Sequence, residues 1–127
     1  MAYFTTLYSG SSGNCGLVRC GDQYLLIDMG KSCRTTLTAL KSLGLAVSDC
    51  AGILITHEHS DHVAGLDTFL KKYPTPLYGC ADTLDILQSR GTIPPMVDAI
   101  PVDGQTLEIL FTHAAVVAAR VKFKICV

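Results

Sequence analysis

A short polar segment, residues 56–62, concentrates the side chains of this chain that could carry out chemistry. It contains three histidines and an aspartate, namely His57, His59, Asp61 and His62. Neutral imidazole and carboxylate groups are common ligands of Zn²⁺, at ~2.0–2.2 Å from the ion. Two metal ions roughly 3.5–4 Å apart can share a bridging water and hold a phosphoryl or carbonyl group during hydrolysis. This ligand segment therefore predicts a metal site, and a solvated polar loop is the alternative.

The residues on either side of the ligand segment predict how it is positioned. Residues 51–55 form a short apolar run rich in β-branched side chains, which predicts a buried strand. Across residues 62–73 the apolar positions recur at helical spacing, which predicts a helix. The first two histidines stand two residues apart in the turn between these elements and would point the same way. The aspartate and the third histidine lie on the helix side, where they could approach a second ion.

The pattern His57-x-His59-x-Asp61-His62 after an apolar strand resembles the signature of the metallo-β-lactamase superfamily of metallohydrolases. The resemblance implies that His57 and His59 bind one metal ion. It implies that Asp61 and His62 bind a second ion and act in catalysis. The resemblance further implies Zn²⁺ as the cofactor, two ions in the family, with Mn²⁺ as an alternative. The fold class that it implies is α+β, an αβ/βα sandwich.

A glycine-serine loop, residues 9–14, resembles a narrower branch, the YycJ/WalJ-type hydrolases, which are related to nucleic-acid-processing enzymes such as ribonuclease Z. That resemblance implies exonuclease-like cleavage of phosphodiester bonds in nucleic acid by a metal-bound hydroxide. Gly10 and Gly13 would free backbone N–H groups of the loop to line an anion site. The residues predicted to face the substrate are Ser11, Ser12, Gly13 and Asn14. A flexible connector is the alternative.

Two further residues are candidates for the site. Asp28 closes the predicted strand 23–29, and the resemblance implies that it supports the metal ligands from outside the ligand set. A carboxylate in that position fixes the tautomer of a ligand histidine, whereas a turn cap is the alternative. His113 could be the third histidine of the first metal, although Ala114 stands where the branch has an aspartate. An ordinary histidine at the end of a strand is the alternative for His113.

Composition restricts the class of protein. Of the 127 residues 49% are hydrophobic and 17% are charged, enough for one buried core. The net charge of −1 gives no overall basic field, so a nucleic-acid contact would be local. The six cysteines form no close CxxC pair and the N-terminus has no signal-peptide pattern. We therefore expect a cytoplasmic protein without a membrane helix, whose cysteines are mostly small buried hydrophobes, with a cysteine zinc site as the alternative.

The remaining pattern predicts one metallo-β-lactamase-like domain over residues 1–127. Strands are expected at 2–8, 15–20, 23–29, 51–55, 77–79, 106–111 and 117–125, helices at 32–43, 62–73 and 81–90, and irregular structure at 92–101.

The end of the chain departs from the family, whose members are longer and have two βα halves. The sequence resembles the first half and the start of the second, either as an incomplete domain or with a divergent tail. After His113 no residue is Asp, Glu or His, so the bridging aspartate and final histidine of the family have no counterpart. We expect weak catalysis and self-association through an unpaired C-terminal strand. Hydrolysis of a small ester or thioester and a truncated, non-catalytic metal-binding fragment are the alternatives to nuclease activity.

Overall fold

Six strands form one mixed sheet in a computed structural model, which describes residues 3–103 in full and the backbone of 106–113 and 116–124. The strands follow one another across the sheet in chain order. The first three pair antiparallel and the last three continue from β3 in parallel. Their bounds are β1 Tyr3–Tyr8, β2 Cys15–Cys20, β3 Gln23–Ile27, β4 Cys50–Leu54, β5 Leu77–Gly79 and β6 Ala99–Pro101.

Helices make the crossovers that parallel strands require. They are α1 Cys33–Ser42, α2 Ser60–Val63, α3 Leu66–Lys72 and α4 Ala81–Ser89, and a 3₁₀ turn, Val47–Asp49, precedes β4. The Ser32 side chain accepts a hydrogen bond from the N–H of Thr35 and so caps the start of α1. Helices α1, α3 and α4 cover one face of the sheet, because their apolar residues share one core with alternate strand residues. The core includes Leu26, Ile53, Phe69, Leu70 and Leu87.

The opposite face of the sheet is also apolar. Val18, Leu25 and Leu54 are buried there, since they alternate along their strands with residues of the helix-covered core. A hairpin of two further strands, β7 Thr106–His113 and β8 Val116–Lys124, forms a second sheet, and β7 lies close to β3. The arrangement of helices on a mixed sheet agrees with the predicted α+β class.

The prediction of one helix over 62–73 was wrong, because the structure has two helices there. The first begins earlier, at Ser60, and the interruption falls at Gly65. The backbone of Met29 fills the gap, since its N–H donates to the carbonyl of His62 at 2.7 Å and its carbonyl accepts from Gly65 at 3.1 Å. A Cβ on Gly65 would lie 2.2 Å from the carbonyl oxygen of Lys31, so only glycine permits this approach.

The segment 92–101 was predicted to be irregular, but its end forms β6. This strand lies at the edge of the six-stranded sheet, where Pro101 does not interrupt a ladder on both sides. The other expected elements are present, with ends shifted by up to two residues.

Cysteines and helix lengths bear on two further expectations. All five cysteines in the described part of the chain are free. Cys15 and Cys33 are buried, whereas Cys20, Cys50 and Cys80 are only partly buried, so the expectation that most cysteines are buried was wrong for these residues. Cys126 lies outside the described residues. In that same part of the molecule, no helix combines the length and hydropathy of a membrane span.

Candidate metal centre

The ligand segment occupies the carboxyl end of β4 and the first turn of α2. This edge, where neighbouring parallel strands end, is where ligands bind in sheets of this kind. One nitrogen or carboxylate oxygen from each of His57, His59 and Asp61 lies within 4.8 Å of the other two. His59 is exposed and precedes α2, whereas His57 and Asp61 are partly buried. The three side chains therefore converge on a point that solvent can reach.

The donor set of this group suits zinc. Imidazole nitrogen and carboxylate oxygen are both common ligands of Zn²⁺. Three protein ligands leave one coordination position open, as in catalytic zinc sites. Ligands at ~2.1 Å from one ion can lie at most about 4.2 Å apart, so small side-chain rotations bring the 4.8 Å group into range. The rings of His57 and His59 are nearly perpendicular, at 87°, with centroids 4.9 Å apart. The residues present thus fit a metal ion.

His62 lies beside this group. Its Nδ1 is 2.7 Å from Oδ2 of Asp28, and its Nε2 is 3.4 Å from Oδ2 of Asp61. The His62 ring also lies 3.7 Å, centroid to centroid, from the ring of His57. Asp61 is therefore next to His57 and His59 as well as to His62, and all four predicted ligands of this segment come together. Their division between two ions stays a prediction.

Asp28 follows β3, the strand beside β4, and reaches the ligand segment across the common edge. Its carboxylate accepts the N–H and the hydroxyl of Thr56, each at 2.7 Å, as well as Nδ1 of His62. Asp28 is 5% exposed and adopts a left-handed conformation, φ 65°, which aspartate tolerates better than most residues. Thr56 in turn contacts Nδ1 of His57 at 3.0 Å. One buried carboxylate thus connects two of the predicted ligands.

The glycine-serine loop reaches the site through Asn14. Its backbone N–H donates to the carbonyl of Asp61 at 2.8 Å, and its side-chain amide lies 3.3 Å from Oδ2 of the same residue. The same amide group exchanges hydrogen bonds with the backbone of Gly10, which closes the loop. Gly13 is buried, whereas Ser11 and Ser12 are exposed. Of the four residues predicted to face the substrate, Asn14 is the one with a hydrogen bond to a predicted ligand.

Sequence reasoning missed two residues that hold the ligand segment. One is Thr56, already described. The other is Arg90, at the end of α4, whose Nη1 donates to the carbonyl of Glu58 at 3.0 Å. The Glu58 side chain has no predicted ligand role; its carboxylate accepts from the hydroxyl of Thr83 at 3.5 Å. No local pattern identifies Arg90, because its partner lies on another element.

His113 is the last residue of β7. Its side chain, like Ala114, lies outside the described residues. Its role as a third histidine for the first metal therefore stays a prediction.

A cavity of about 210 Å³ adjoins the centre, and Asp28 and Asn14 form part of its wall. Burial raises the pKa of Cys15 to about 12 and that of Tyr8 to about 12, and both residues line this cavity. Both groups are consequently uncharged at neutral pH. The Tyr8 hydroxyl also shares a hydrogen bond of 2.7 Å with Thr36 in α1, which fixes the ring.

Comparison with known proteins matches residues 8–121 to the family model described as the Metallo-beta-lactamase superfamily. The chain is 40% identical over 93 residues to an exodeoxyribonuclease YycJ from Bacillus anthracis, covering 72% of this chain and 35% of that protein. It is 35% identical over 86 residues to an exodeoxyribonuclease WalJ from Streptococcus pneumoniae, covering 68% and 32%. The chain therefore spans about a third of the length of these curated relatives.

Solved structures show the same fold. A diphosphatase of the PhnP family superposes with a TM-score of 0.68 at 20% identity, covering 85% of this chain and 53% of that one. At this identity the likeness concerns the fold alone.

Proposed function

Because this chain belongs to the metallo-β-lactamase superfamily, we propose that it is a zinc-dependent hydrolase of phosphodiester bonds in nucleic acid, with exonuclease-like activity. The observation that carries the proposal is the convergence of His57, His59 and Asp61 within 4.8 Å, next to His62. The relatives named exodeoxyribonuclease support nucleic acid as the substrate class. The chain's composition is neutral on this point, since its net charge is −1.

Bound zinc would lower the pKa of a water molecule and polarise a phosphoryl oxygen. His57, His59 and Asp61 would hold it, since their ligand atoms already lie close together. Nδ1 of His62 is hydrogen-bonded to Oδ2 of Asp28, which orients the ring so that Nε2 lies on the side of Asp61. We propose Asp61 and His62 as the residues that act in catalysis, because they lie 3.4 Å apart, Nε2 to Oδ2, and Asp61 belongs to the group that would hold the metal.

Asn14 and Arg90 support this arrangement by hydrogen bonds to the ligand segment. Asn14 donates to both the backbone carbonyl and the carboxylate of Asp61, which restricts rotation of that side chain. Arg90 holds the carbonyl of Glu58, the residue between His57 and His59. A site fixed by hydrogen bonds in this way loses less entropy when it binds an ion or a substrate.

Metal binding is tested on three proteins: the wild type, His59→Ala and Ser60→Ala. Ser60 is an exposed neighbour without a predicted ligand role, so its variant is the matched control. Wild type and Ser60→Ala should retain about one equivalent of zinc after gentle loading, the content of a site with three protein ligands. The His59→Ala variant should retain less. Absence of zinc in the loaded wild type would contradict the proposal and favour a non-catalytic fragment.

The reaction is tested with an end-labelled, single-stranded DNA oligonucleotide. The zinc-loaded wild type should shorten it from one end, and Asp61→Ala should abolish the shortening. Hydrolysis of a small thioester or ester without any cleavage of DNA would overturn the phosphodiester proposal and leave the metallohydrolase assignment in place.

A further inference from the structure

The cavity beside the metal centre opens on the face of the sheet opposite the helices. Its wall includes Phe4 and Thr6 of β1, Ile27 of β3, and Asn14 and Asp28. We propose that this cavity binds an unpaired base at the end of a single-stranded DNA whose phosphodiester lies at the metal centre. The proposal rests on the proposed nuclease function and adds the part of the substrate that this site recognises.

Continuity with the metal centre is the first support. Asn14 and Asp28 line the cavity, and each also forms a hydrogen bond with a predicted ligand. The Asn14 amide lies 3.3 Å from Oδ2 of Asp61, and Oδ2 of Asp28 lies 2.7 Å from Nδ1 of His62. The cavity and the metal site therefore share a wall. A strand with its phosphate on one side of that wall places an adjacent base on the other.

The second support is Phe4, a large aromatic side chain that is 65% exposed. Its ring edge rests on Gly16, where an added Cβ would lie 3.0 Å from Cε2 and 3.2 Å from Cζ. Because Gly16 has no side chain, the Phe4 ring packs directly on the backbone of β2, and most of the ring surface stays exposed. Such an aromatic surface offers a platform on which a base of any type can stack, as in single-strand binding proteins.

Charge supplies the third support. Tyr8 and Cys15 in the wall are uncharged, and the one carboxylate there, Asp28, is hydrogen-bonded to Thr56 and His62. A cation lies at the same end, since Nζ of Lys31 is 5.2 Å from the centre of the Tyr8 ring. An aromatic cavity whose one carboxylate is already hydrogen-bonded, with a lysine nearby, fits a base attached to a phosphate. A paired base would keep its stacking partners and would have to leave the duplex to enter, which favours a single strand.

Oligonucleotide affinity measures the contact between Phe4 and the base. Short single-stranded DNA with phosphorothioate linkages is titrated with the zinc-loaded protein by fluorescence anisotropy. A second oligonucleotide lacks the bases of its terminal nucleotides. Phe4→Ala should weaken binding of the complete oligonucleotide by about 5- to 150-fold, the range for loss of one stacked base, and leave the abasic one unchanged.

Two further variants distinguish loss of base stacking from misfolding and from the loss of any exposed ring on β1. Phe4→Tyr keeps an aromatic ring and should bind both oligonucleotides as the wild type does. Tyr3→Ala removes a ring that is 57% exposed on the neighbouring position of β1, which faces the other side of the strand. This control should alter neither affinity.

The outcomes distinguish the two proposals. Failure of the zinc-loaded wild type to bind either oligonucleotide would overturn the nuclease function and the base cavity together. Equal weakening of both oligonucleotides by Phe4→Ala would overturn the cavity while the nuclease function stands. A change of oligomeric state in Phe4→Ala by sedimentation, without any change in DNA affinity, would also overturn it and identify this face as an interface between copies.

Discussion

The replacement Asp28→Asn perturbs the carboxylate that holds the predicted ligands. In the wild type, Oδ1 accepts the N–H of Thr56, and Oδ2 accepts both the hydroxyl of Thr56 and Nδ1 of His62, all at 2.7 Å. Asparagine has nearly the same shape and tolerates the φ of 65° at this position. The variant should therefore fold. Its amide nitrogen cannot accept hydrogen bonds, so the donors at Oδ2 lose their acceptor.

The size of the effect follows from the tautomer of His62. An amide NH₂ facing Nδ1 favours the form with the proton on Nε2, the nitrogen that lies 3.4 Å from Oδ2 of Asp61. A protonated nitrogen cannot bind a metal. Loss of such a supporting group typically costs ~10- to 100-fold in metal affinity, equal to ~1.4–2.8 kcal/mol. The lost hydrogen bonds to a charged group should lower the free energy of unfolding by ~1.5–3 kcal/mol.

Zinc affinity is measured by competition with a chromophoric chelator, and stability by urea unfolding of the metal-free protein. Asp22→Asn is the matched control, because Asp22 is an exposed carboxylate in the turn between β2 and β3. It should change neither quantity. If Asp28→Asn folds with wild-type circular dichroism and binds zinc as tightly as the wild type, the reasoning fails and Asp28 only shapes a turn.

Three other outcomes are expected. Gly30→Ala should lower both the unfolding temperature and zinc affinity, because its Cβ would lie 1.8 Å from the carbonyl oxygen of Asp61; an unchanged melting curve would contradict this packing. Arg90→Gln should weaken zinc binding by ~0.5–1.5 kcal/mol through loss of the hydrogen bond to Glu58, whereas Arg34→Gln, on an exposed position of α1, should not. Burial raises the pKa of Cys15 from 9.0 to about 12, so the folded state binds this proton more tightly than the unfolded state. Its contribution to stability is complete below pH 9 and falls as the pH rises towards 12; urea unfolding between these limits should show the decline, and Cys15→Ala should decline less.

The convergence of the predicted ligands could be anticipated from the sequence because it is a local property. His57, His59 and Asp61 alternate along five residues between a strand and a helix, so their side chains cannot lie far apart in any fold that keeps this turn. Periodicity likewise sufficed for most strands and helices, since a period of two or 3.6 reports which face each element buries. The position of Asp28 after an apolar strand was a usable signal for the same reason.

Tertiary structure alone decided how these residues are held. The sequence of a strand does not specify which other strand lies beside it. The parallel pairing of β3 with β4 brings Asp28 to Thr56, 28 residues away. The contact of Asn14 with Asp61 spans 47 residues, and that of Arg90 with Glu58 spans 32. The helix break at Gly65 arises in the same way, because the backbone of Met29 supplies its hydrogen-bonding partners. Such contacts depend on single donors and acceptors meeting across elements, and a hydrogen bond between distant residues leaves no periodic pattern in the sequence.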